Sequence, residues 1–138
     1  MSFGYQQQRV LEATAARAAI LNLNARHNQY YSAGDKARWV STFKHTGAQI
    51  VVGEETFGRV TDAFHGGSGR LVTLNHDITV DGVEAQQTCV ALLISPAGAI
   101  TATGTYSDRL IYERGGWYYA SRTLHWDTPK VAENLATV

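Results

Sequence analysis

The segment from Gly104 to Asp127 constrains the fold most, because it has the pattern of two long strands joined by a tight turn at Gly115-Gly116. Aromatic and β-branched residues in both halves fit a pleated, half-buried surface, and paired glycines supply the positive φ angles of hairpin turns. Charged groups among the aromatics indicate either one wall of a cavity or an ordinary sheet with one wet face. The charged or titratable side chains that bear on this choice are Asp108, Arg109, Arg122, His125 and Asp127.

The first third of the chain has a helical pattern. Gln6 to Ser32 is rich in Ala, Leu, Gln and Arg, which predicts one long helix. Gly34 is expected to cap its C-terminus in the left-handed conformation, and Asp35 to cap a short second helix through Trp39 to Phe43. The core-facing stripe of the long helix is predicted to contain Val10, Ala13, Arg17, Ile20, Leu21, Asn24, His27 and Tyr31.

The remainder predicts mostly strands. Thr56–Phe64 suits one further helix, and the glycine-rich break at residues 66–69 is followed by period-two alternation. Helices followed by an antiparallel meander predict a single α+β domain over residues 1–138. A tail from Thr128 is expected to be only partly ordered. Strands are predicted at Ala48–Val52, Arg70–Val80, Val83–Ser95, Ala99–Glu113 and Trp117–Asp127.

Charge balance, cysteine count and the motifs that are missing argue against several classes of partner and cofactor. Lysine plus arginine equals aspartate plus glutamate, twelve each, which argues against nucleic acid or an anionic membrane as the main partner. No apolar run approaches the roughly 20 residues of a membrane span, and the N-terminus lacks a secretion-signal pattern. With Cys89 as the single cysteine, a cytoplasmic location is expected. No phosphate loop, nucleophile elbow or metal-ligand spacing is present, so neither a cofactor nor a metal is expected.

Several short motifs follow one another in a specific order between about residues 8 and 127. They are Tyr-Tyr and Ala-Gly-Asp within 30–35, Trp39 and Phe43, Thr73 and Asn75 before Val-Asp-Gly at 80–82, Gly-Thr-Tyr-Ser-Asp at 104–108, and Gly-Trp at 116–117 leading to Arg122 and Asp127. In this order they resemble the SnoaL-like branch of the nuclear transport factor 2-like superfamily. The resemblance implies a cone, in which a strongly curved antiparallel sheet wraps the N-terminal helices around an apolar pocket. Members include cofactor-free dehydratases, dehydrochlorinases, isomerases, cyclases and lyases, and also binding-only proteins, so the fold does not settle the function.

The chain departs from this family at its best-known catalytic pair. The dehydratase-like and dehydrochlorinase-like members use an Asp–His pair, and the aligned positions here are Ser32 and Leu71. The resemblance does preserve two pocket groups. Tyr31 matches a pocket tyrosine of the dehydratases, and Arg122 matches an arginine that stabilises negative charge in the dehydrochlorinases.

Arg122 has two interpretations, and the hairpin register decides between them. A two-residue turn at Gly115-Gly116 places Arg122 opposite Arg109, whereas a three-residue loop that includes Arg114 places it opposite Asp108. The second register is favoured. Arg122 would then form an ion pair while its spare donors hold a carboxylate, phenolate or enolate oxygen. On a cleanly alternating strand its face is predicted to contain Tyr118, Ala120, Leu124 and Trp126.

The other candidate site residues are assigned from their predicted positions on helix and strand faces. His27 is either a hydrogen-bonded core histidine or a general acid–base group beside Tyr31. Asn75 is predicted to face inward and to stabilise an oxyanion, which leaves His45, His65 and His76 at the surface and His125 at an interface or in solvent. Cys89 is interpreted as pocket filler rather than a nucleophile. The predicted substrate-binding set is Trp39, Leu71, Thr73, Cys89, Leu93, Tyr106, Asp108 and Trp126.

The leading interpretation is a cofactor-independent lyase, dehydratase or isomerase for a hydrophobic, aromatic or polycyclic, oxygenated small molecule. In this scheme His27 or Tyr31 moves a proton while Arg122 and Asn75 stabilise oxyanion charge. Two alternatives stay open: a non-catalytic binding or dimerisation module, and a structural subunit like the small β subunits of ring-hydroxylating dioxygenases. A homo-oligomer, either a dimer or a trimer, is also expected, because Trp117, Tyr119 and His125 are predicted on the outer sheet face.

Overall fold

The computed structural model describes residues 2–127, and the predicted tail from Thr128 lies outside them. Within this range the α-helices α1 (Ser2–Ala33) and α2 (Lys36–Val40) precede one curved, unclosed sheet. The strand order is β2-β1-β6-β5-β4-β3, antiparallel except that β1 runs parallel to β6. The predicted α+β class is confirmed. The strands are β1 (Gln49–Val52), β2 (Glu55–Phe57), β3 (Arg70–Asp81), β4 (Glu84–Ile94), β5 (Ile100–Glu113) and β6 (Gly116–Trp126).

The turn between the two helices forms as predicted. Gly34 has φ 72°, and the N–H groups of Gly34 and Asp35 donate to the carbonyl oxygens of Tyr31 and Tyr30 at 3.1 and 2.9 Å. These two bonds satisfy the last carbonyl groups of α1 in a Schellman arrangement. Asp35 then caps α2 by accepting from the Arg38 N–H at 3.2 Å. The second helix ends at Val40, short of the predicted boundary at Phe43.

The buried face of α1 differs in part from the predicted stripe. Ala16, Ile20 and Leu23 are buried, but Val10 and Leu21 are 65% and 45% exposed. Residues 4–12 are all exposed, so the apolar spacing in this half of the helix packs against nothing in the described chain. No helix within residues 2–127 is long and apolar enough to cross a membrane.

The helix predicted at Thr56–Phe64 is wrong. Its first part is strand β2, which pairs with β1 so that Phe57 lies opposite Ile50, and only Val60–Ala63 forms a short 3₁₀ helix. Pairing with a neighbouring strand therefore overrides the weak local helical preference.

The hairpin between β5 and β6 has the favoured register, but its turn differs from both predicted turns. The turn residues are Arg114 and Gly115, with φ 50° and 79°, so that Glu113 pairs with Gly116; neither predicted loop forms. Further along, Leu110 pairs with Tyr119 and Arg109 with Ser121, which leaves Ala120 as an extra, bulged residue. The bulge shifts the register by one, and the predicted pairing of Arg122 with Asp108 is confirmed.

The same bulge reverses which side chains of β6 face inward. Before it, Trp117 and Tyr119 are buried; after it, Arg122, Leu124 and Trp126 are buried. The prediction that Trp117 and Tyr119 lie on the outer face is therefore wrong, as is the prediction that Tyr118 and Ala120 share the face of Arg122. The expected homo-oligomer stays a prediction, without the two aromatic residues that motivated it.

A second bulge lies in β3. Leu74 pairs with Val90 and Asp77 with Thr88, so Asn75 and His76 together lie opposite the single residue Cys89. Asn75 takes φ 55° and is exposed, whereas His76 is partly buried. The inward orientation predicted for Asn75 is wrong, because the extra residue turns His76 to the inner side.

We expect the bulge to be sensitive to the backbone preference of residue 75. Asn tolerates the left-handed region, whereas a β-branched residue there is strained by about 1–2 kcal/mol. Asn75→Val should lower the free energy of unfolding by about this amount in urea titrations, while Thr79→Val, at an exposed position of the same strand, should leave it nearly unchanged. Equal effects of the two substitutions would contradict a strained bulge.

Candidate ligand-binding and active site

A buried ion pair joins β5 and β6 at the centre of the inner sheet face. Arg122 Nε donates to Asp108 Oδ1 at 2.8 Å, and Nη2 donates to Oδ2 at 3.1 Å. The two side chains are 1% and 0% exposed. Removing one partner of such a pair costs about 3–5 kcal/mol, because the other charge is left uncompensated away from water. Replacing one partner alone is therefore expected to lower stability strongly.

The guanidinium of Arg122 is also held on both faces. Its Cζ atom lies 3.6 Å from the ring centre of Tyr106 and 4.2 Å from that of Tyr119. Two aromatic rings and one carboxylate leave a single edge, the Nη1 group, uncommitted. Nη1 is buried and has no hydrogen-bond partner among residues 2–127. A buried donor without a partner costs about 1–3 kcal/mol, so an acceptor that reaches Nη1 would recover this energy.

Helix α1 orients the Asp108 carboxylate through a chain of hydrogen bonds. Asp108 Oδ2 accepts a second bond from Gln87 Nε2 at 2.8 Å. Gln87 and Asn24 exchange hydrogen bonds in both directions, at 2.6 and 3.1 Å, and the Tyr119 hydroxyl donates to Asn24 Oδ1. This network sets the orientation of the carboxylate and, through it, that of Arg122. It joins the helix to three neighbouring strands.

The surroundings keep this cluster in fixed charge states. Burial opposes the cation of Arg122, but Asp108 and the oxygens of Tyr119 and Tyr106 outweigh it, so the pKa of Arg122 is raised. Burial also raises the pKa of Tyr106 and Tyr119, although the Arg122 charge partly offsets the effect. The guanidinium thus stays charged and both phenols stay protonated across the physiological range.

A cavity of about 280 Å³, with Arg122 among its lining residues, lies between the end of α1, α2, β1, β2 and the inner face of β3–β6. Its wall is mostly apolar. Seven of the predicted site residues line it: Tyr31, Trp39, Leu71, Leu93, Tyr106, Arg122 and Trp126. The other lining residues are Ile50, Val51, Val52, Glu55, Phe57, Ala63, His65 and Leu124.

The other five predicted site residues, His27 among them, do not line this cavity. Asp108 lies behind Arg122, and Asn75 is exposed. Thr73 accepts from Asn28 Nδ2 at 2.8 Å and lies 2.9 Å from His76 Nε2. Cys89 is buried in the core, where burial raises the pKa of its thiol to about 11 despite the nearby Arg122 charge. An uncharged thiol of this kind fits the predicted filler role rather than a nucleophile.

His27 is a core histidine and lies outside the cavity wall. Trp39 Nε1–H donates to His27 Nε2 at 3.0 Å, which leaves the imidazole proton on Nδ1, 2.9 Å from Thr42 Oγ1. Thr42 in turn donates to the Trp39 carbonyl at 2.6 Å. Burial and then the Arg122 charge lower the pKa of His27 well below its usual value. This environment favours the interpretation of His27 as a hydrogen-bonded core residue over the general acid–base role.

Tyr31 remains on the cavity wall, packed edge to face against Phe64 with ring centres 5.4 Å apart. Burial raises the pKa of its hydroxyl to about 12. Such a phenol can donate a hydrogen bond or a proton, but it is not ionised at neutral pH and cannot serve there as a base.

The aligned positions of the family's Asp–His pair are neighbours in this structure. Ser32 Oγ accepts a hydrogen bond from the Leu71 backbone N–H at 3.0 Å and donates to the Asn28 carbonyl at 2.8 Å. The alignment thus identifies two adjacent positions, one of which, Leu71, lies on the cavity wall. Here they supply a hydroxyl and an isobutyl group instead of a carboxylate and an imidazole.

Sequence reasoning missed two exposed residues that line the cavity, Glu55 and His65. His65 was assigned to the surface and Glu55 was not singled out, because nothing in their local sequence indicates a shared cavity. It also missed the partly buried His76, because a bulge cannot be located from alternation alone. Within residues 2–127, no three His, Cys, Asp or Glu side chains cluster closely enough to hold a metal ion, and the cofactor-free expectation stays a prediction.

We expect acid to destabilise the fold through His27. Its folded-state pKa lies below the unfolded value of about 6.5, so the unfolded chain binds the proton more readily and stability falls as the pH drops below about 6.5. One such group contributes at most about 1.4 kcal/mol per pH unit. His27→Gln should flatten the decline in unfolding free energy between pH 7 and 5, whereas the exposed His125→Gln should not. His76, whose pKa is also lowered by burial, accounts for a residual slope.

Comparisons with known proteins agree with this architecture. A family model described as a SnoaL-like domain matches residues 12–123. A search of curated proteins gave no match. An NTF2-like protein with a cystatin-like fold from Novosphingobium aromaticivorans superposes with a TM-score of 0.76 at 16% identity, covering 98% of this chain and 96% of that one. At such identity the likeness concerns the fold alone, and the expected NTF2-like fold is confirmed.

Two further solved structures are similar. A variant of Rv3472 from Mycobacterium tuberculosis, a protein of unknown function, gives a TM-score of 0.73 at 22% identity, with 98% of this chain and 90% of that chain covered. A protein from Novosphingobium aromaticivorans whose name proposes scytalone dehydratase activity gives 0.71 at 16% identity, with 89% of each chain covered.

Proposed function

The chain belongs to the SnoaL-like domain family, and on that premise we propose that it is a cofactor-independent enzyme of the lyase, dehydratase or isomerase type. Its substrate is a hydrophobic, oxygenated small molecule. The observation that carries the proposal is that Arg122, which lines an apolar cavity, keeps one buried cationic donor, Nη1, without a hydrogen-bond partner among residues 2–127. A substrate oxygen placed against this donor would be polarised, and negative charge that develops on it during reaction would be stabilised.

The charge balance of the site favours a neutral ligand. Arg122 and Asp108 cancel each other, so a bound carboxylate would add an uncompensated negative charge among apolar side chains. A ketone, aldehyde or ester oxygen accepts from Nη1 without this penalty. The preferred substrate is therefore a carbonyl compound, whose oxygen becomes anionic only during the reaction.

The cavity wall favours an aromatic or fused-ring body for this substrate. Trp39, Tyr106 and Trp126 offer ring faces and edges, and Leu71 and Leu93 complete an apolar surface. A volume of about 280 Å³ lies near the lower end of small-molecule pockets, which supports a ligand of one or two rings.

A second candidate function is ligand binding without catalysis. Ser32 and Leu71, in contact at the positions of the family's catalytic pair, supply neither a carboxylate nor an imidazole. Binding and turnover are therefore separate questions for this chain, and a carbonyl probe that reports on both can distinguish an enzyme from a binding protein.

The binding part is tested with three bicyclic probes of similar size: β-tetralone, tetralin, which lacks the oxygen, and β-naphthoate, which carries a carboxylate. Quenching of tryptophan fluorescence serves as the readout, since Trp39 and Trp126 line the cavity. A hydrogen bond to a charged donor contributes about 1.5–3 kcal/mol. We therefore expect β-tetralone to bind at least about 10-fold more tightly than tetralin, and β-naphthoate to bind more weakly than β-tetralone.

The matched variant replaces both members of the ion pair, Arg122→Met with Asp108→Leu. Apolar replacement of a whole buried pair is often neutral or stabilising, whereas Arg122→Met alone leaves the carboxylate unpaired. The double variant should fold and bind both β-tetralone and tetralin, but without a preference for the ketone. If the wild-type protein fails to distinguish ketone from hydrocarbon, the role of Arg122 in ligand recognition is wrong.

A further inference from the structure

The buried groups of the site cannot remove a proton from carbon at neutral pH. The lone pair of His27 Nε2 is occupied by the Trp39 N–H, and the histidine lies outside the cavity wall. Burial raises the pKa of Tyr31 to about 12 and that of Cys89 to about 11, so both keep their protons. Enzymatic turnover by the proposed function therefore needs a base from another part of the wall.

Two candidate bases remain among the residues that line the cavity. Among the lining residues, His65 has the only imidazole and Glu55 the only carboxylate, and both are exposed. Arg122, by contrast, is 1% exposed. The cavity lining thus combines the buried cation of Arg122 with two exposed side chains, those of Glu55 and His65. Histidine is the side chain whose ordinary charge change lies closest to neutral pH.

The backbone on both sides of His65 is anchored to the end of α1. The Phe64 ring packs against Tyr31 and Trp39, with ring centres 5.4 and 5.2 Å apart. A side-chain carbon at Gly66 would overlap the Tyr31 carbonyl oxygen and the Phe64 ring, so the chain passes here only as glycine. His65 is therefore held on the cavity wall by two tightly packed neighbours, although its own side chain is exposed.

We propose that His65 is the general base of this site and replaces the family pair missing at Ser32 and Leu71; this assignment rests on the proposed function. The substrate carbonyl oxygen lies on Arg122 Nη1. His65 takes a proton from a carbon that is adjacent or conjugated to the carbonyl, the C–H electron pair moves into the enolate, and the negative charge rests on the oxygen at Arg122. The imidazolium then returns the proton to the same or another carbon, which gives exchange or isomerisation.

The chemistry of the step also defines the substrate class. Charge left on carbon when the proton is removed must be delocalised onto the carbonyl oxygen, where Arg122 stabilises it. Enolisable ketones with a CH₂ group between the carbonyl and an aromatic ring, such as β-tetralone, meet this requirement. This step requires no oxidant, reductant or metal.

The test is hydrogen–deuterium exchange of β-tetralone in D₂O, followed by NMR, with tryptophan quenching measured in parallel. General-base catalysis commonly contributes about 10²–10⁴-fold. We expect His65→Gln to lower the protein-dependent exchange rate at least about 100-fold while changing β-tetralone affinity less than about threefold. His45→Gln, at an exposed position away from the cavity, is the matched control and should change neither.

Three results would overturn the assignment of His65. They are unchanged exchange in His65→Gln, loss of exchange in Glu55→Gln alone, or wild-type binding of β-tetralone without any exchange. The last result would leave the binding function intact and favour a non-catalytic module. A wild-type protein that neither binds nor exchanges β-tetralone would instead contradict the proposed function itself.

Discussion

The stacked ion pair of Arg122 and Asp108 is the contact on which the other features of the structure depend. A cation this far from water needs its carboxylate, the carboxylate needs Gln87 as a second donor, and Gln87 needs Asn24 on the helix. The polar chain ties α1 to β4, β5 and β6 and holds the helix against the inner face of the sheet.

Much of the architecture follows from the sequence because it is encoded locally. Gly34 and Asp35 specify a helix end and a helix start by backbone preference and capping, and both form as predicted. The four long strands also follow from alternation and turn residues. The Thr56–Phe64 segment fails because its structure is set by β1, a neighbour that its own residues do not reveal. The chain's likeness to the SnoaL-like family supplied the fold but could not supply a base in place of Ser32 and Leu71.

The candidate site was only partly predictable, and two bulges explain why. One extra residue at Ala120 exchanges the inner and outer faces of β6, and one at Asn75 brings His76 inward in place of the amide. Alternation specifies which residues share a face only while the register is unbroken. The wall residues on regular stretches, such as Leu71, Leu93 and Trp126, were identified, whereas the exposed lining residues from separate loops and short strands were not.

The internal cancellation of charge at Arg122 also affects how a ligand arrives. The ion pair presents no net charge, and the chain as a whole carries none, so little long-range field exists to guide a molecule toward the opening. Encounter then depends on unguided diffusion and is nearly independent of ionic strength, unlike capture by a charged funnel. Selection among ligands is therefore made after entry, by shape and by a single directed hydrogen bond, and a site of this kind suits uncharged molecules in media of any salt content.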